Sequence, residues 1–259
     1  MNAPFTDALT AAARPLVMEI KPRDGDGRDL LGGRGVAETV ERFEAAGAPC
    51  LSVVTGRWFG GTEDLLRQVA SRTSLPLLRK DFVTSGRQLE RTRELGACAV
   101  LLTARVLPAA VLARLTDRAL ELGLTPFVEV ADAAEAAMVV RGPECVVAVN
   151  NKDIGTRERL SADLARSRTL LPAVRATGTR LPVSASGITA PATAARMLDE
   201  GFAGLLIGTE LLRAPSLTAW CAKFDAARGT GGVPALTALQ PRPPAGLARR
   251  PRAVRPQGL

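Results

Sequence analysis

Histidine is missing from this chain of 259 residues. Its absence excludes Ser-His-Asp and Cys-His nucleophilic catalysis, histidine metal ligation and imidazole acid–base chemistry. Lysine and carboxylate side chains must therefore carry any proton transfer.

Tyrosine is also absent, and aromatic residues make up only 3% of the chain. The aromatic stacking surfaces used by many single-strand nucleic-acid binders are therefore not expected. The net charge of +8 does not change this, because the segment 229–259 contributes five arginines and no acidic residue. The preceding chain carries 29 basic and 26 acidic residues, an ordinary balance. We expect no nucleic-acid partner.

Long apolar runs are lacking as well. No run reaches the length of about 20 residues that a membrane-spanning helix requires, and residues 1–15 lack the features of a signal peptide. The four cysteines are widely spaced without a C-x-x-C pair, a usage typical of reduced, buried thiols. The sequence predicts a cytoplasmic protein without membrane association, metal or other cofactor.

Eight short apolar segments recur along the chain, each followed by a segment of helical character. They predict strands at 16–20, 49–55, 76–80, 98–103, 125–130, 144–150, 181–186 and 203–208. Strands that are apolar throughout are typical of a parallel sheet covered on both faces. Eight such units favour a (β/α)8 TIM barrel. A doubly wound open sheet is the alternative, but it usually has fewer strands and a G-x-G-x-x-G motif that is absent here.

We expect the barrel to extend from residue 15 to residue 228, with its last helix beginning near Thr209. Residues 1–14 are predicted to be a short lead-in with one frayed helical turn near 7–13. The segment 229–259 is rich in proline, glycine and arginine, which is typical of disorder. We interpret it as a tolerated extension, with contact to an anionic partner or across a dimer as the alternatives.

Lysine is scarce, with only four among the 34 basic residues. Lys21, Lys80 and Lys152 lie at the ends of predicted strands, where barrels have their active sites. Glu19 and Glu129 lie there too, within apolar segments, where burial raises a carboxyl pKa unless a lysine offsets it. Interleaved ammonium and carboxylate groups favour acid–base catalysis. A ring of structural ion pairs is the alternative.

Further polar residues follow other strand ends. Asp81 comes directly after Lys80 and would hold this lysine or cap a helix. Asn150 closes the sixth strand, and Ser184 and Ser186 lie at the end of the seventh.

A phosphate site is expected between the loops after strands seven and eight, as is common in barrels. Ser186-Gly187 and Gly208-Thr209 occupy these two positions. Glycine allows a ligand to approach the backbone, and a helix N-terminus offers N–H groups to an anion.

Three apolar residues, Phe59, Phe82 and Leu101, lie near the ends of strands two to four. They would line a pocket for an aromatic substrate, or form the upper part of the core.

These motifs together resemble the indole-3-glycerol-phosphate synthase family. The resemblance rests on E-x-K at 19–21, SVVTGRWFGG at 52–61, LPLLRKDF at 75–82, LGA at 95–97, LLTARVL at 101–107, FVEV at 127–130, VNNKDI at 149–154, SASGI at 184–188 and LIGTELLRAP at 206–215. Their order covers residues 15–225, and the family fold is a TIM barrel of the ribulose-phosphate-binding type.

The resemblance implies catalytic roles for four residues. Lys80 would be the general acid that protonates the ketone oxygen of 1-(2-carboxyphenylamino)-1-deoxyribulose 5-phosphate as the ring closes. Glu19 and Glu129 would carry the remaining proton transfers. Lys21 would assist with the phosphate or the leaving hydroxyl.

Substrate binding is implied for a second group of residues. Asn150 would hold a sugar hydroxyl, and Gly187, Gly208 and Thr209 would bind the phosphate, with Ser186 beside them. The implied partner is a small phosphorylated molecule, and the chain is expected to be a monomer or a homodimer.

Four departures from the family pattern stand out. Ala185 replaces the glutamate of the family's S-E-S-G-I, and the segment 22–27 replaces a Ser-Pro-Ser segment near the phosphate. Two aspartates in that segment would repel a phosphate unless Arg23 or Arg28 intervenes. The segment before the first strand is shorter than usual, and Lys152 replaces an arginine.

The pattern favours a diverged carboxy-lyase of this family, from specialised metabolism or of the ordinary kind. Two alternatives stay open at the level of sequence. One is a related lyase or aldol-type enzyme that uses Lys80 on a different carbonyl substrate, and the other is a catalytically silent scaffold barrel.

Overall fold

The computed structural model describes residues 3–152 and 162–230. Its eight strands form a closed barrel in which each strand pairs in parallel with the next along the chain. The first and eighth strands close the barrel, with Leu16 opposite Leu205. The predicted (β/α)8 barrel is thereby confirmed.

The strands are β1 (Leu16–Ile20), β2 (Cys50–Val54), β3 (Leu77–Lys80), β4 (Ala99–Thr103), β5 (Thr125–Val130), β6 (Val146–Asn150), β7 (Leu181–Ala185) and β8 (Gly204–Ile207). The helices are α1 (Pro4–Ala11), α2 (Val36–Ala45), α3 (Glu63–Ala70), α4 (Gly86–Glu94), α5 (Ala109–Glu121), α6 (Ala133–Ala137), α7 (Leu164–Ala176), α8 (Pro191–Asp199), α9 (Thr209–Arg213) and α10 (Leu217–Thr230). Short 3₁₀ turns occur at Arg57–Phe59, Ala104–Val106 and Gly142–Glu144.

The apolar residues form two clusters, one on each face of the sheet. The larger cluster lies between the strands and the surrounding helices. The smaller cluster fills the barrel interior and includes Leu78, Phe127 and Leu206. This arrangement explains why the strands are apolar throughout, since both of their faces are buried.

The alternation of side chains along each strand places the charged residues inside the barrel. Leu78 and Phe127 lie in the interior cluster, two positions before Lys80 and Glu129. Because alternate residues of a strand share a face, these two side chains also face the barrel axis. They lie at the carboxyl ends of β3 and β5, where a barrel builds its active site.

The first helix differs from the sequence prediction. Instead of a frayed turn near residues 7–13, the chain forms α1, and its Phe5 and Leu9 are buried in the barrel interior. Phe5 packs edge-to-face against Phe127, with ring centroids 6.3 Å apart. The helix therefore closes the end of the barrel opposite the charged residues.

The predicted last helix is divided into α9 and α10. Pro215 lies between them, and Ala214 before it has an extended ψ of 122°. The restriction that proline places on the preceding residue explains the break.

Residues 231–259 of the predicted tail lie outside the described residues. Across the described ranges, the helices lack the length and apolar character of a membrane span.

Candidate active site

Lys80 lies between two buried carboxylates at the mouth of the barrel. Its Nζ atom is 3.3 Å from Glu19 Oε2 and 3.9 Å from Glu129 Oε2. The side chains of both glutamates are 4% exposed, and that of Lys80 is 12% exposed. The charges of β1, β3 and β5 thus converge on one point.

Glu19 interacts with two lysines, Lys80 and Lys21. Burial alone would raise its pKa, but the charges of Lys80 and Lys21 and their hydrogen bonds outweigh burial and hold the pKa below the ordinary carboxyl value. Glu19 is therefore ionised at neutral pH and accepts protons rather than donating them. The sequence analysis expected a lysine to offset the effect of burial on the carboxyl pKa, and the structure shows this at Glu19.

Lys21 approaches the same carboxylate from the other side. Its Nζ atom is 3.6 Å from Glu19 Oε1 and lies 4.9 Å from the centroid of the Phe59 ring. The ring face attracts the ammonium group. Phe59 therefore flanks Lys21 instead of packing in the core.

Glu129 is oriented by its neighbour on β6. The Asn150 Nδ2 atom donates a hydrogen bond of 3.0 Å to Glu129 Oε1, and both side chains are buried. The Asn150 Oδ1 atom accepts from the backbone N–H of Lys152 at 2.9 Å. Asn150 thus links the fifth and sixth strand ends.

A cavity of about 590 Å³ opens beside Lys21 and Lys152 and continues to the ends of β7 and β8. Its lining includes Lys21, Lys152, Ser186, Gly187, Gly208 and Thr209. The predicted phosphate-binding residues therefore share one cavity with Glu19.

Ser186 and Gly187 form a turn with two successive left-handed residues. Their φ angles are +70° and +74°. A Cβ atom at Gly187 would lie 1.9 Å from the Ala162 Cβ atom. Both the positive φ and the close approach of Ala162 require glycine at position 187. Ser186 has a side chain, so its positive φ is strained.

Gly208 precedes α9 and faces Glu19. A Cβ atom at position 208 would lie 2.6 Å from Glu19 Oε1. Thr209 is the first residue of α9. The sequence predicts that this glycine allows a phosphate to approach the backbone. In the structure, its close contact is with the carboxylate of Glu19.

The segment 22–29 borders the cavity, and two of its aspartates, Asp24 and Asp26, are each paired with an arginine. Asp24 Oδ2 lies 2.6 Å from Arg213 Nη2 of α9, and Asp26 Oδ2 lies 3.6 Å from Arg28 Nη2. Of the two arginines expected to offset the aspartates, Arg28 does so, whereas the guanidinium of Arg23 donates to the Gly27 carbonyl.

The three predicted pocket residues occupy different environments. Phe82 is half-buried and meets Trp58 edge-to-face, with centroids 5.2 Å apart. Trp58 is 53% exposed. Leu101 is 3% exposed and belongs to the interior cluster below the charged layer. Trp58, whose exposure the sequence pattern did not single out, therefore extends the aromatic surface formed by Phe82.

Comparison with known proteins identifies the family. The family model described as indole-3-glycerol phosphate synthase matches residues 2–224. A protein of that description from Pyrococcus furiosus is 36% identical over 215 residues, which cover 83% of this chain and 92% of the relative. The chain belongs to the indole-3-glycerol phosphate synthase family. Another member, from Aquifex aeolicus, is 32% identical over 213 residues, covering 81% of this chain and 80% of the relative.

A solved structure supports the fold alone. The 3-hexulose-6-phosphate synthase from Salmonella typhimurium has a TM-score of 0.63 with this chain at 13% identity. The match covers 83% of this chain and 98% of that chain.

Ala185 is the departure from the family pattern that lies deepest in the barrel. It is fully buried, belongs to the interior cluster and pairs in register with Asn150. Where the resemblance places a glutamate, this family member therefore has a methyl group. The buried carboxylates described at the site come from β1 and β5.

Asp81 contributes to a network on the outer face of the barrel. Its Oδ2 atom lies 3.2 Å from Nη2 of Arg79 and accepts from Thr55 Oγ1 at 2.7 Å. Arg79, whose side chain is 4% exposed, also pairs with Glu63 at 3.3 Å. In this family member, Asp81 thus stabilises the buried arginine next to Lys80 on β3.

Asn151 was missed by the sequence analysis. It is 1% exposed, and its side chain bonds to the end of β7. Two consecutive asparagines at the end of a buried strand were the available signal, since consecutive residues face opposite sides. Ser184 belongs to the same network and not to the cavity lining, because its Oγ atom bonds to Asn151 Nδ2 at 3.0 Å.

Within the described part of the chain, no three His, Cys, Asp or Glu side chains are grouped closely enough to bind a metal ion.

Proposed function

We propose that the chain converts 1-(2-carboxyphenylamino)-1-deoxyribulose 5-phosphate to indole-3-glycerol phosphate, with loss of one CO2 and one water. The observation that carries this proposal is the placement of Lys80 between Glu19 and Glu129 in a member of the indole-3-glycerol phosphate synthase family. The arrangement provides a proton donor next to proton acceptors in a buried site, as acid–base catalysis requires.

Ring closure uses Lys80 as the general acid. The aromatic carbon that bears the carboxylate bonds to the ketone carbon, and the electron pair of the C=O bond moves to the oxygen. The oxygen takes the proton of the Lys80 ammonium. The ionised Glu19 beside it stabilises the positive charge that develops on the substrate nitrogen.

Decarboxylation and dehydration follow at the same site. CO2 leaves, and the electron pair of the broken bond restores the aromatic ring. The hydroxyl on the former ketone carbon then leaves as water with a proton from Lys21. One of the two carboxylates, Glu19 or Glu129, accepts the proton from the neighbouring carbon, and the indole double bond forms.

Binding of the substrate uses further residues of the proposed site. The turn at Ser186–Gly187, together with Gly208 and Thr209, would hold the phosphate, and Asn150 a sugar hydroxyl. Phe59, Phe82 and Leu101 would border the aromatic ring. The cations around the cavity, among them Lys21 and Arg213, support an anionic ligand.

The placement of Lys80 also favours this chemistry over a Schiff-base mechanism. A Schiff-base lysine must be neutral when it attacks a carbonyl. Two carboxylates within 4 Å favour the charged form instead.

We further propose a cytoplasmic location, supported by four cysteines that are not disulfide-bonded. A monomer or a homodimer remains the predicted assembly.

The proposal is tested by incubating the purified protein with the substrate and following indole fluorescence. Lys80→Ala should lower kcat by about 10³-fold, since a general acid contributes 10²–10⁴-fold. Lys223→Ala, an exposed lysine on α10, is the matched control and should retain activity. Absence of turnover in the folded wild-type protein would overturn the proposal.

A further inference from the structure

Asn151 connects the end of β6 to the left-handed turn that borders the cavity. Its Nδ2 atom donates to the Ala185 carbonyl at 3.0 Å and to the Ser186 carbonyl at 3.2 Å. Its backbone N–H donates to the same Ala185 carbonyl at 3.0 Å. One residue therefore holds two consecutive carbonyls, that of Ala185 at the end of β7 and that of Ser186 in the turn.

The turn needs such support because of Ser186. Among the described residues it is the one non-glycine residue with a positive φ. The left-handed conformation is sterically unfavourable for a residue with a side chain. Residues in such regions persist where the surrounding structure fixes them, and they concentrate at functional sites.

The amide of Asn151 is itself fixed in orientation. Ser167 Oγ donates to Asn151 Oδ1 at 2.7 Å, and the Oγ atoms of Ser167 and Ser184 are 2.8 Å apart. The carbonyls of the turn can only accept hydrogen bonds, so the NH2 group must face them. The network thus determines which end of the amide meets the turn.

We infer that Asn151 is a positioning residue for anion binding, which acts by holding the Ser186–Gly187 turn in its cavity-lining conformation. The inference rests on the proposed function, in which this turn holds the phosphate of the substrate. Asn151 acts through the turn, and its effect is therefore on phosphate affinity rather than on the proton transfers at Lys80.

The test compares Asn151→Ala with Ser184→Ala by titration calorimetry with inorganic phosphate and by steady-state kinetics. Loss of two hydrogen bonds to the turn should weaken phosphate binding and raise KM by about tenfold, with kcat within about twofold. Ser184→Ala removes a bond of the same buried network and leaves the bonds to both carbonyls, so its phosphate affinity should stay within about twofold of wild type.

Circular dichroism monitors folding. Asn151→Ser, whose shorter side chain cannot reach both carbonyls, provides the second variant if Asn151→Ala does not fold.

The same substitution in a Ser186→Gly background is a further test. Glycine adopts the left-handed conformation without the steric cost, so the turn depends less on Asn151. The weakening of phosphate binding by Asn151→Ala should be smaller in this background by about threefold or more.

The outcomes separate this inference from the proposed function. If wild type turns over substrate and Asn151→Ala binds phosphate as wild type does, the inference is wrong and the function stands. If phosphate binding depends on Asn151 but no turnover occurs, the function is wrong and the inference stands. If wild type binds no phosphate, the inference is overturned.

Discussion

Gly208 at the end of β8 makes room for the carboxylate of Glu19 on β1. A Cβ atom at residue 208 would lie 2.6 Å from Glu19 Oε1 and 3.1 Å from Glu19 Cβ. Glu19 is the carboxylate that both Lys21 and Lys80 contact. The packing of β8 against β1 therefore determines where this carboxylate lies relative to the two lysines.

Gly208→Ala should therefore lower kcat by displacing the Glu19 carboxylate. A displacement near 1 Å can cost about 10²-fold in rate, and we expect a loss of that order. Gly86→Ala is the control, since a Cβ atom there has nothing within 4 Å. If Gly208→Ala instead raises KM and preserves kcat, the glycine serves the approach of the phosphate and not the placement of Glu19.

The positions of these charged residues could be predicted from the sequence because they depend on local features. Each strand was marked by its own apolar run, and the bounds predicted for β1 and β5 coincide with Leu16–Ile20 and Thr125–Val130. In a closed parallel barrel all carboxyl ends meet at one mouth. Glu19, Lys80 and Glu129 were therefore predicted to lie together without knowledge of any side-chain contact.

The contacts that the sequence did not predict join residues far apart in the chain. Arg213 meets Asp24 across 189 positions, and Asn151 meets Ser186 across 35. Such pairs depend on loop paths and side-chain rotamers, which apolar periodicity does not encode. Asp81 shows the same limit, since the hydrogen bond that it accepts from Thr55 spans 26 positions.

The stability of the protein should depend on pH through Glu19. Its pKa is lower in the folded protein than the ordinary value of 4.5, as the charges of the two lysines outweigh burial. The ionised group therefore contributes stability above pH 4.5, and that contribution is lost as pH falls through the folded pKa. We expect Glu19→Gln to be destabilised by about 3–5 kcal/mol at pH 7, because the buried lysines lose a partner.

The difference between wild type and Glu19→Gln should shrink as pH falls below 4.5, because Glu19 of the unfolded chain binds a proton there before Glu19 of the folded protein does. Urea unfolding between pH 3.5 and 7 measures this. Glu121→Gln, on the exposed surface of α5, controls for loss of a carboxylate as such. A difference independent of pH would show that the pKa of Glu19 is the same in the folded and the unfolded protein.

The conformation of the segment 22–29 should depend on the hydrogen bonds of Asp24. The Oδ1 atom of Asp24 accepts from the backbone N–H groups of Asp26 and Arg28, each at 3.0 Å, while Oδ2 binds Arg213. Asp24→Ala removes all three interactions. We expect faster hydrogen exchange in residues 24–28 and an increase in KM of about tenfold, because Arg213 is no longer held beside the cavity.

Asp26→Ala is the matched control, since Asp26 pairs with Arg28 at the longer distance of 3.6 Å and is half exposed. Its effect on exchange and KM should be smaller. A decrease in KM for Asp24→Ala would instead show that the Asp24 carboxylate repels the phosphate more than it orders the segment.

The closure of the barrel by α1 predicts that residues before β1 contribute to stability. Phe5 is fully buried and packs against Phe127 inside the barrel. Phe5→Ala should lower the free energy of unfolding by about 3–5 kcal/mol, from lost burial and the cavity that remains. Phe5→Leu keeps most of the apolar volume and should cost less than about 1.5 kcal/mol. Chemical denaturation measures both, and kcat of the protein that remains folded should change little, because Phe5 lies at the end opposite Lys80. Equal stability of Phe5→Ala and wild type would mean that α1 does not close the barrel in solution.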